Sequence, residues 1–304
     1  MRPGFGGPGN LGHNTAMATR RARRAVWAVG CDLGGTTLRV LARDGAGRTR
    51  RLRRGAVTIG ALPGILRATL RRWNLRPPDI GALVVASRGV WTLAERRAAT
   101  AALRGLARRV HAISDVEAAR DGALGPAPGI LLLAGTGSIA LGRGRSGALA
   151  RAGGLGPLLG DEGSAFWIGR AWLPVARRNA GALRRLALRP DAVARVAALA
   201  PSALQAARRG HPVARAIVAG AQLALAELVA DLAARLRLRP PVAVSWAGGL
   251  LTDAVFRAGV WRAAREAGLQ LAVTPPRGTP LDAAVDIAES LTRHRKVRPR
   301  RASA

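Results

Sequence analysis

The chain has 304 residues, 49% of them hydrophobic, enough to bury a large core, and its length points to two domains. Cys31 is the only cysteine, which excludes an intrachain disulfide, a zinc quartet and an iron–sulfur cluster held within one chain. It reads as a small apolar residue of a buried strand. The formal charge of +32 invites a nucleic-acid partner. Yet Lys296 is the sole lysine, tyrosine is absent, and Ala, Arg, Gly and Pro abound, the pattern of GC-rich coding in which Arg replaces Lys. With the 11 basic residues of residues 1–24 and 293–304 set aside, 38 basic residues still face 17 acidic ones. The expectation is a solvated basic surface that attracts anionic substrates, with no specific nucleic-acid recognition. No apolar run approaches the ~18–20 residues that span a bilayer. Residues 25–31 are broken at Asp32, too soon for a signal peptide, so the expectation is a cytoplasmic protein without a membrane partner.

Residues 1–24 are Gly/Pro-rich and then basic, the composition of a disordered leader. Met17 is the only methionine after Met1 and reads as the natural start. Residues 25–31, 38–42 and 49–53 are strand-like with Gly-containing turns between them. Residues 60–73 follow as a helix, 83–86 as a strand and 93–106 as a helix. Residues 110–114 form a strand running into Asp115, and 116–124 form a helix. After a Gly/Pro linker at 125–129 the pattern restarts, with strands at 130–134 and 139–143 around the turn 135–138. A long helical stretch follows Asp161, then a helix at 213–236, a strand at 242–246, a Gly-Gly turn and a helix at 253–267. A second tail begins at Arg293. The alternation predicts an α/β fold. Two halves, 25–127 and 128–292, each open with a strand–turn–strand hairpin, as duplicated domains with a ligand between them would, and the last helix can pack back on the first half.

Three glycine turns carry the chemistry. Asp32 precedes Gly34, Gly35, Thr36 and Thr37, where glycine backbones let successive N–H groups converge on phosphates and the carboxylate can hold magnesium against them. Taken alone, this segment is equally an ordinary hairpin turn. The turn Gly135, Thr136, Gly137 and Ser138 stands in the same setting in the second half, so the two can grip a phosphate chain from opposite sides. Gly248 and Gly249, between a strand and a helix, offer a backbone surface on which adenosine can lie.

In the order DLGGTT, SDVEAA, AGTGSIA, GGLGPLLGDEGSAFWIG and WAGGL, the chain resembles the actin-like ATPase superfamily. Within it, the likeness is to the branch of N-acetylglucosamine kinase and the BadF/BadG/BcrA/BcrD ATPases, over roughly residues 26–289. The resemblance implies two ribonuclease H-like domains around a nucleotide cleft, and use of ATP and Mg2+. It also implies transfer to a hydroxyl of an amino sugar or N-acetylhexosamine. Asp115 matches the residue that deprotonates that hydroxyl, a role phosphoryl transfer requires. Asp161 and Gly154 match the sugar loop, and Thr58 and Ser87 fall where the acceptor is touched. A homodimer is compatible with the branch. Its dehydratase activators share a [4Fe–4S] cluster through cysteines, for which Cys31 is alone and misplaced.

Leu155 stands where the kinases carry an aromatic, Thr58 where they carry an Asn, and Ser87-Arg88-Gly89 where a small turn is expected. These departures bear on which acceptor is used, and an anionic or differently shaped one fits them. An ATPase or sugar-sensing regulator without kinase activity is the alternative. The carboxylates have simpler roles open to them: Asp115 as a helix N-cap, and Asp161 and Glu162 as first-turn helix charges, with Glu162 pairing a nearby Arg.

Overall fold

The computed structural model describes residues 25–176 and 180–293. The leader, Met17 and the tail beyond Arg293 lie outside these. Among the described residues, ten strands form two five-stranded sheets. The first sheet contains β1 (Trp27–Leu33), β2 (Thr37–Asp44), β3 (Thr49–Gly55), β4 (Ile80–Ser87) and β5 (Val110–Ser114), in the order β3-β2-β1-β4-β5. The second contains β6 (Gly129–Ala134), β7 (Ser138–Arg143), β8 (Leu149–Gly153), β9 (Val242–Ala247) and β10 (Leu271–Val273), in the order β10-β9-β6-β7-β8. In both, three antiparallel strands adjoin two further parallel ones. β8 and β10, five and three residues long, are the counterparts of β3 and β5 that the sequence pattern does not reveal.

Burial explains why β1 reads as one apolar run: all seven residues are buried, so neither face is polar. Trp27, Val29, Cys31 and Leu33 pack with Leu62, Leu66 and Leu70 of α1 (Leu62–Arg72). The opposite face, built of Ala28, Ala82 and Val84, receives Ala284 and Ala288 of α10 (Pro280–Arg293). Small residues set the approach here. A Cβ at Gly30 would lie 2.6 Å from the Val285 backbone nitrogen.

α2 (Leu93–Ala102) precedes β5, and α3 (Asp115–Leu124) follows it. α3 also reaches the second sheet, where Ala119, Ala123 and Leu124 pack on Leu131. The N–H of Gly278, just before α10, donates to the Gly122 carbonyl of α3 at 2.8 Å. The fully buried Arg120 donates to the carbonyls of Gly125 and Ala127 and to Asp121. Arg143 of β7 also grips Asp121, at 2.9 and 3.0 Å. The linker between the halves is therefore pinned by a buried guanidinium.

The expected long helix after Asp161 is broken into α4 (Ala165–Ala176), α5 (Ala180–Ala187), α6 (Ala192–Ala197) and α7 (Ala200–Arg208). Prolines punctuate it, with Pro190 just before α6 and Pro201 in the first turn of α7. Against the expectation that no apolar run approaches the length of a bilayer span, α8 (Pro212–Arg235) has 24 residues and is, by length and composition, long and apolar enough to cross a membrane. Here Ala221, Leu225, Val229 and Leu232 are buried in the core of the second half. α9 (Ala254–Glu266) completes the layer.

Candidate active site

The carboxyl ends of parallel strands are where α/β sheets gather ligands, and the first half of the site sits there. Leu33, Ser87 and Ser114 end β1, β4 and β5 in one row. Asp32, Arg88 and Asp115 therefore cluster at neighbouring strand ends. Asp32 is buried and accepts from Arg39 Nη1 at 3.3 Å. The hairpin register places these two residues opposite each other, a pairing legible from the turn position but not drawn from the sequence. Burial raises the Asp32 carboxyl above its usual range, Arg39 opposes the rise, and the Asp115 charge adds to it.

Asp115 is half-buried at the start of α3. Burial raises its carboxyl too, with the Val116 N–H and the Arg88 charge acting against the rise. The N-cap role open to Asp115 belongs instead to Ser114, whose Oγ accepts from the Glu117 N–H at 3.1 Å. Asp115 Oδ1 accepts from its neighbour Val116 N–H at 2.9 Å, and its own backbone N–H also bonds the carboxylate.

The first turn closes with Gly34 N–H donating to the Thr37 carbonyl at 3.0 Å, and Gly35 and Thr36 are exposed. The guanidinium of Arg88 lies over Gly35, both Nη atoms 3.3 Å from where a Cβ would stand. Ser87 is buried and its hydroxyl donates to the Arg88 carbonyl at 3.0 Å, so it shapes this loop. Thr58 is exposed between β3 and α1, and its hydroxyl caps no helix.

In the second half, Gly135 and Thr136 line a cavity of about 670 Å³ with Gly249, Leu250, Pro201 and Leu204, within the size range of small-molecule sites. Two glycine surfaces meet at its floor, a Cβ on Gly135 falling 3.7 Å from the Gly249 nitrogen. Gly248 holds φ +93, and a Cβ there would meet the Ala134 carbonyl oxygen at 2.3 Å, whereas Gly249 has open space beside it. Thr252 Oγ1 donates to the Gly249 carbonyl at 2.6 Å, and Arg257 to the Leu251 carbonyl at 2.6 Å, while it stacks 4.3 Å over Trp246. The walls from α6 and α7, and the Arg208–Asp253 ion pair at the rim, were missed by sequence reading. Their alanine-rich helices carry no motif.

Asp161 has φ +62 and is buried against the second turn. Its Oδ1 accepts from the Ser138 N–H at 3.3 Å, and its Oδ2 lies 2.6 Å from where a Cβ on Gly137 would be. Burial raises its carboxyl above the usual range. The carboxylate thus braces the turn from behind. Ser138 is buried with its hydroxyl donated to the Glu162 carbonyl at 2.7 Å, and Gly154 N–H donates to the Ser138 carbonyl at 2.9 Å. Asp161 and Glu162 precede α4 and are not first-turn charges. Glu162 is exposed, and among the described residues no Arg lies within salt-bridge distance of it.

The halves join at the start of α3, where Val116 packs with Ile139 and Leu141 of β7 and with Trp91. A path of contacts thus runs from the cavity through the second turn to Asp115, Arg88 and the first turn. Glycine surfaces free of side chains suit a nucleotide. A buried carboxylate at a glycine turn, such as Asp32, is of the kind that holds Mg2+, which takes one or two carboxylates plus phosphate oxygens. Among the described residues no cluster of three or more His, Cys, Asp or Glu offers a cation a cage of its own.

The N-acetylmuramic acid/N-acetylglucosamine kinase of Clostridium acetobutylicum is 42% identical over 65 residues, 21% of each chain. The N-acetyl-D-glucosamine kinase of Dictyostelium discoideum is 46% identical over 54 residues, 18% of this chain and 17% of that one. The chain thus matches about a fifth of the length of these curated relatives. The crystal structure of a Chromobacterium violaceum protein named as an N-acetylglucosamine kinase superposes with a TM-score of 0.64 at 23% identity, covering 86% of this chain and 99% of that one. That likeness shows the fold of the actin-like ATPases and sugar kinases. Residues 29–284 match the sequence model of the BadF/BadG/BcrA/BcrD ATPase family, spanning both sheets and every turn of the site, and the chain belongs to that family.

Proposed function

We propose that the chain transfers the γ-phosphoryl group of ATP to a hydroxyl of an amino sugar, N-acetylated hexosamines foremost, with Asp115 as general base. The observation that carries this reading is the link from the glycine-floored cavity, through Ile139 and Val116, to a half-buried carboxylate that faces the Arg88 charge. Adenosine would occupy the cavity beside Gly248 and Gly249, with phosphates between the turns 34–37 and 135–138. Asp32 would hold Mg2+, which supplies charge neutralisation at the phosphates, and Arg39 would release or share the carboxylate. Asp115 would accept the acceptor's proton, and the raised position of its carboxyl brings its basicity closer to what proton removal needs.

One observation favours a second reading, an ATPase acting on another protein. Leu155, Leu158 and Leu159, in the loop before Asp161, are 60%, 92% and 78% exposed, an apolar rim suited to a macromolecule as well as to an acyl group. An ATP-coupled screen of the purified chain against hexoses, amino sugars and N-acetylated amino sugars tests the proposal. Sugar-dependent ADP release supports the kinase. Hydrolysis indifferent to every sugar supports the alternative.

A further inference from the structure

Arg88 stands where a small turn was expected, and its surroundings are specific. Its guanidinium covers Gly35 of the first glycine turn, and its charge reaches Asp115. The ion pairs among the described residues do not include Arg88, and the side chain is exposed. The backbone that carries it is fixed on both sides. Ser87 Oγ bonds the Arg88 carbonyl, Gly89 turns at φ +80, and Val90 is buried. Trp91 is wedged on Val116 and Ile139, with Arg151 stacked 4.7 Å over its ring. A loop fixed at Ser87 and Val90 thus holds an exposed guanidinium between the first glycine turn and Asp115.

We propose that Arg88 is a catalytic residue of this chain that neutralises the phosphoryl group in flight. The inference rests on the phosphotransfer reading. If the phosphate chain lies on residues 34–37 and the acceptor hydroxyl lies at Asp115, the group between them is the one being transferred. As the acceptor oxygen–phosphorus bond forms, the bond from phosphorus to the bridging oxygen breaks. The electron pair leaves with ADP, and the hydroxyl proton passes to Asp115. Arg88 donates to the non-bridging oxygens throughout and exchanges no proton. Its planar fork suits two oxygens of one phosphate in a way an ammonium cannot match.

The test uses Arg88→Ala and Arg88→Lys in the full chain. Calorimetry compares the Mg2+ complexes of ADP and of a non-hydrolysable ATP analogue. Turnover is measured with neutral and with carboxylated amino sugars. Arg88→Ala is expected to leave ADP affinity within about 3-fold, weaken the analogue about 10-fold, and lower kcat about 10²-fold on neutral and acidic acceptors alike. Arg88→Lys should recover only part of the kcat. Equal weakening of ADP and analogue, unchanged kinetics, or a loss confined to the KM of carboxylated acceptors would overturn the proposal, the last by making Arg88 a clamp for the acceptor. Should the wild-type chain phosphorylate no sugar, the kinase reading falls, while the ADP-against-analogue comparison still decides Arg88.

Discussion

Replacing Asp115 by Asn separates a base from a structural carboxylate. The variant keeps an Oδ1 that can accept from Val116, a bond of 2.9 Å in the wild type, and the capping bond from Glu117 to Ser114 is untouched. The lost negative charge at the start of α3 is worth about 0.3–1 kcal/mol, and relief of a carboxylate that burial disfavours acts in the opposite sense. Net stability should therefore move by less than about 1 kcal/mol, a few degrees at most for a chain of this size. Loss of proton acceptance should instead cost about 10²–10⁴ in rate, or about 2.7–5.5 kcal/mol of barrier. Melting curves and sugar-dependent ADP release, measured on the same preparations, read the two quantities. Ser114→Ala is the reciprocal control, expected to lose about 1 kcal/mol of capping with turnover largely kept. An Asp115→Asn protein that is stable and turns over within about 3-fold of wild type would end the base assignment.

Asp32→Asn should lower Mg2+-dependent turnover by orders of magnitude and yet stabilise the fold at pH 7–8. The folded carboxyl titrates above its unfolded value of 3.8, so the wild type loses stability as pH rises through that window. The gain from Asn should vanish on titrating below about pH 4, which melts across pH would follow. Gly248→Ala meets the Ala134 carbonyl and a positive φ together, and should cost about 1–3 kcal/mol in urea unfolding. Gly249→Ala, with open space beside it, should leave stability alone and weaken ATP binding. Arg120→Ala leaves Asp121 and two linker carbonyls short of a buried partner and should cost about 3–5 kcal/mol by the same assay.

Local patterns exposed much of this design. The two hairpins, each with its glycine turn, were legible because alternation and glycine position are encoded residue by residue. The place of Asp115 at a strand end was legible because apolar residues run directly into it, whereas its role as base comes from the resemblance alone. What escaped depends on approach between distant segments. Arg88 over Gly35 needs β4 beside β1, and Asp161 behind Gly137 needs the 154–161 loop folded under the second turn. The cavity walls of α6 and α7 are alanine surfaces whose meaning comes only from what they face. A cap at the start of α3 was legible, but that Ser114 supplies it and not Asp115 was not, since both residue types cap helices and only geometry chooses between them.

The placement of α10 has a consequence for the order in which this protein can be made. The first sheet is complete in the chain at Ser114, but the helix that covers Ala28, Ala82 and Val84 begins at Pro280. At ~5–20 residues per second of synthesis, roughly 170 intervening residues delay that helix by on the order of 10–30 s. Throughout that interval the nascent first half presents an alanine- and valine-lined sheet face without the helix that covers it. The closing step of the amino-terminal half therefore waits for α10, which follows the whole second sheet in the chain.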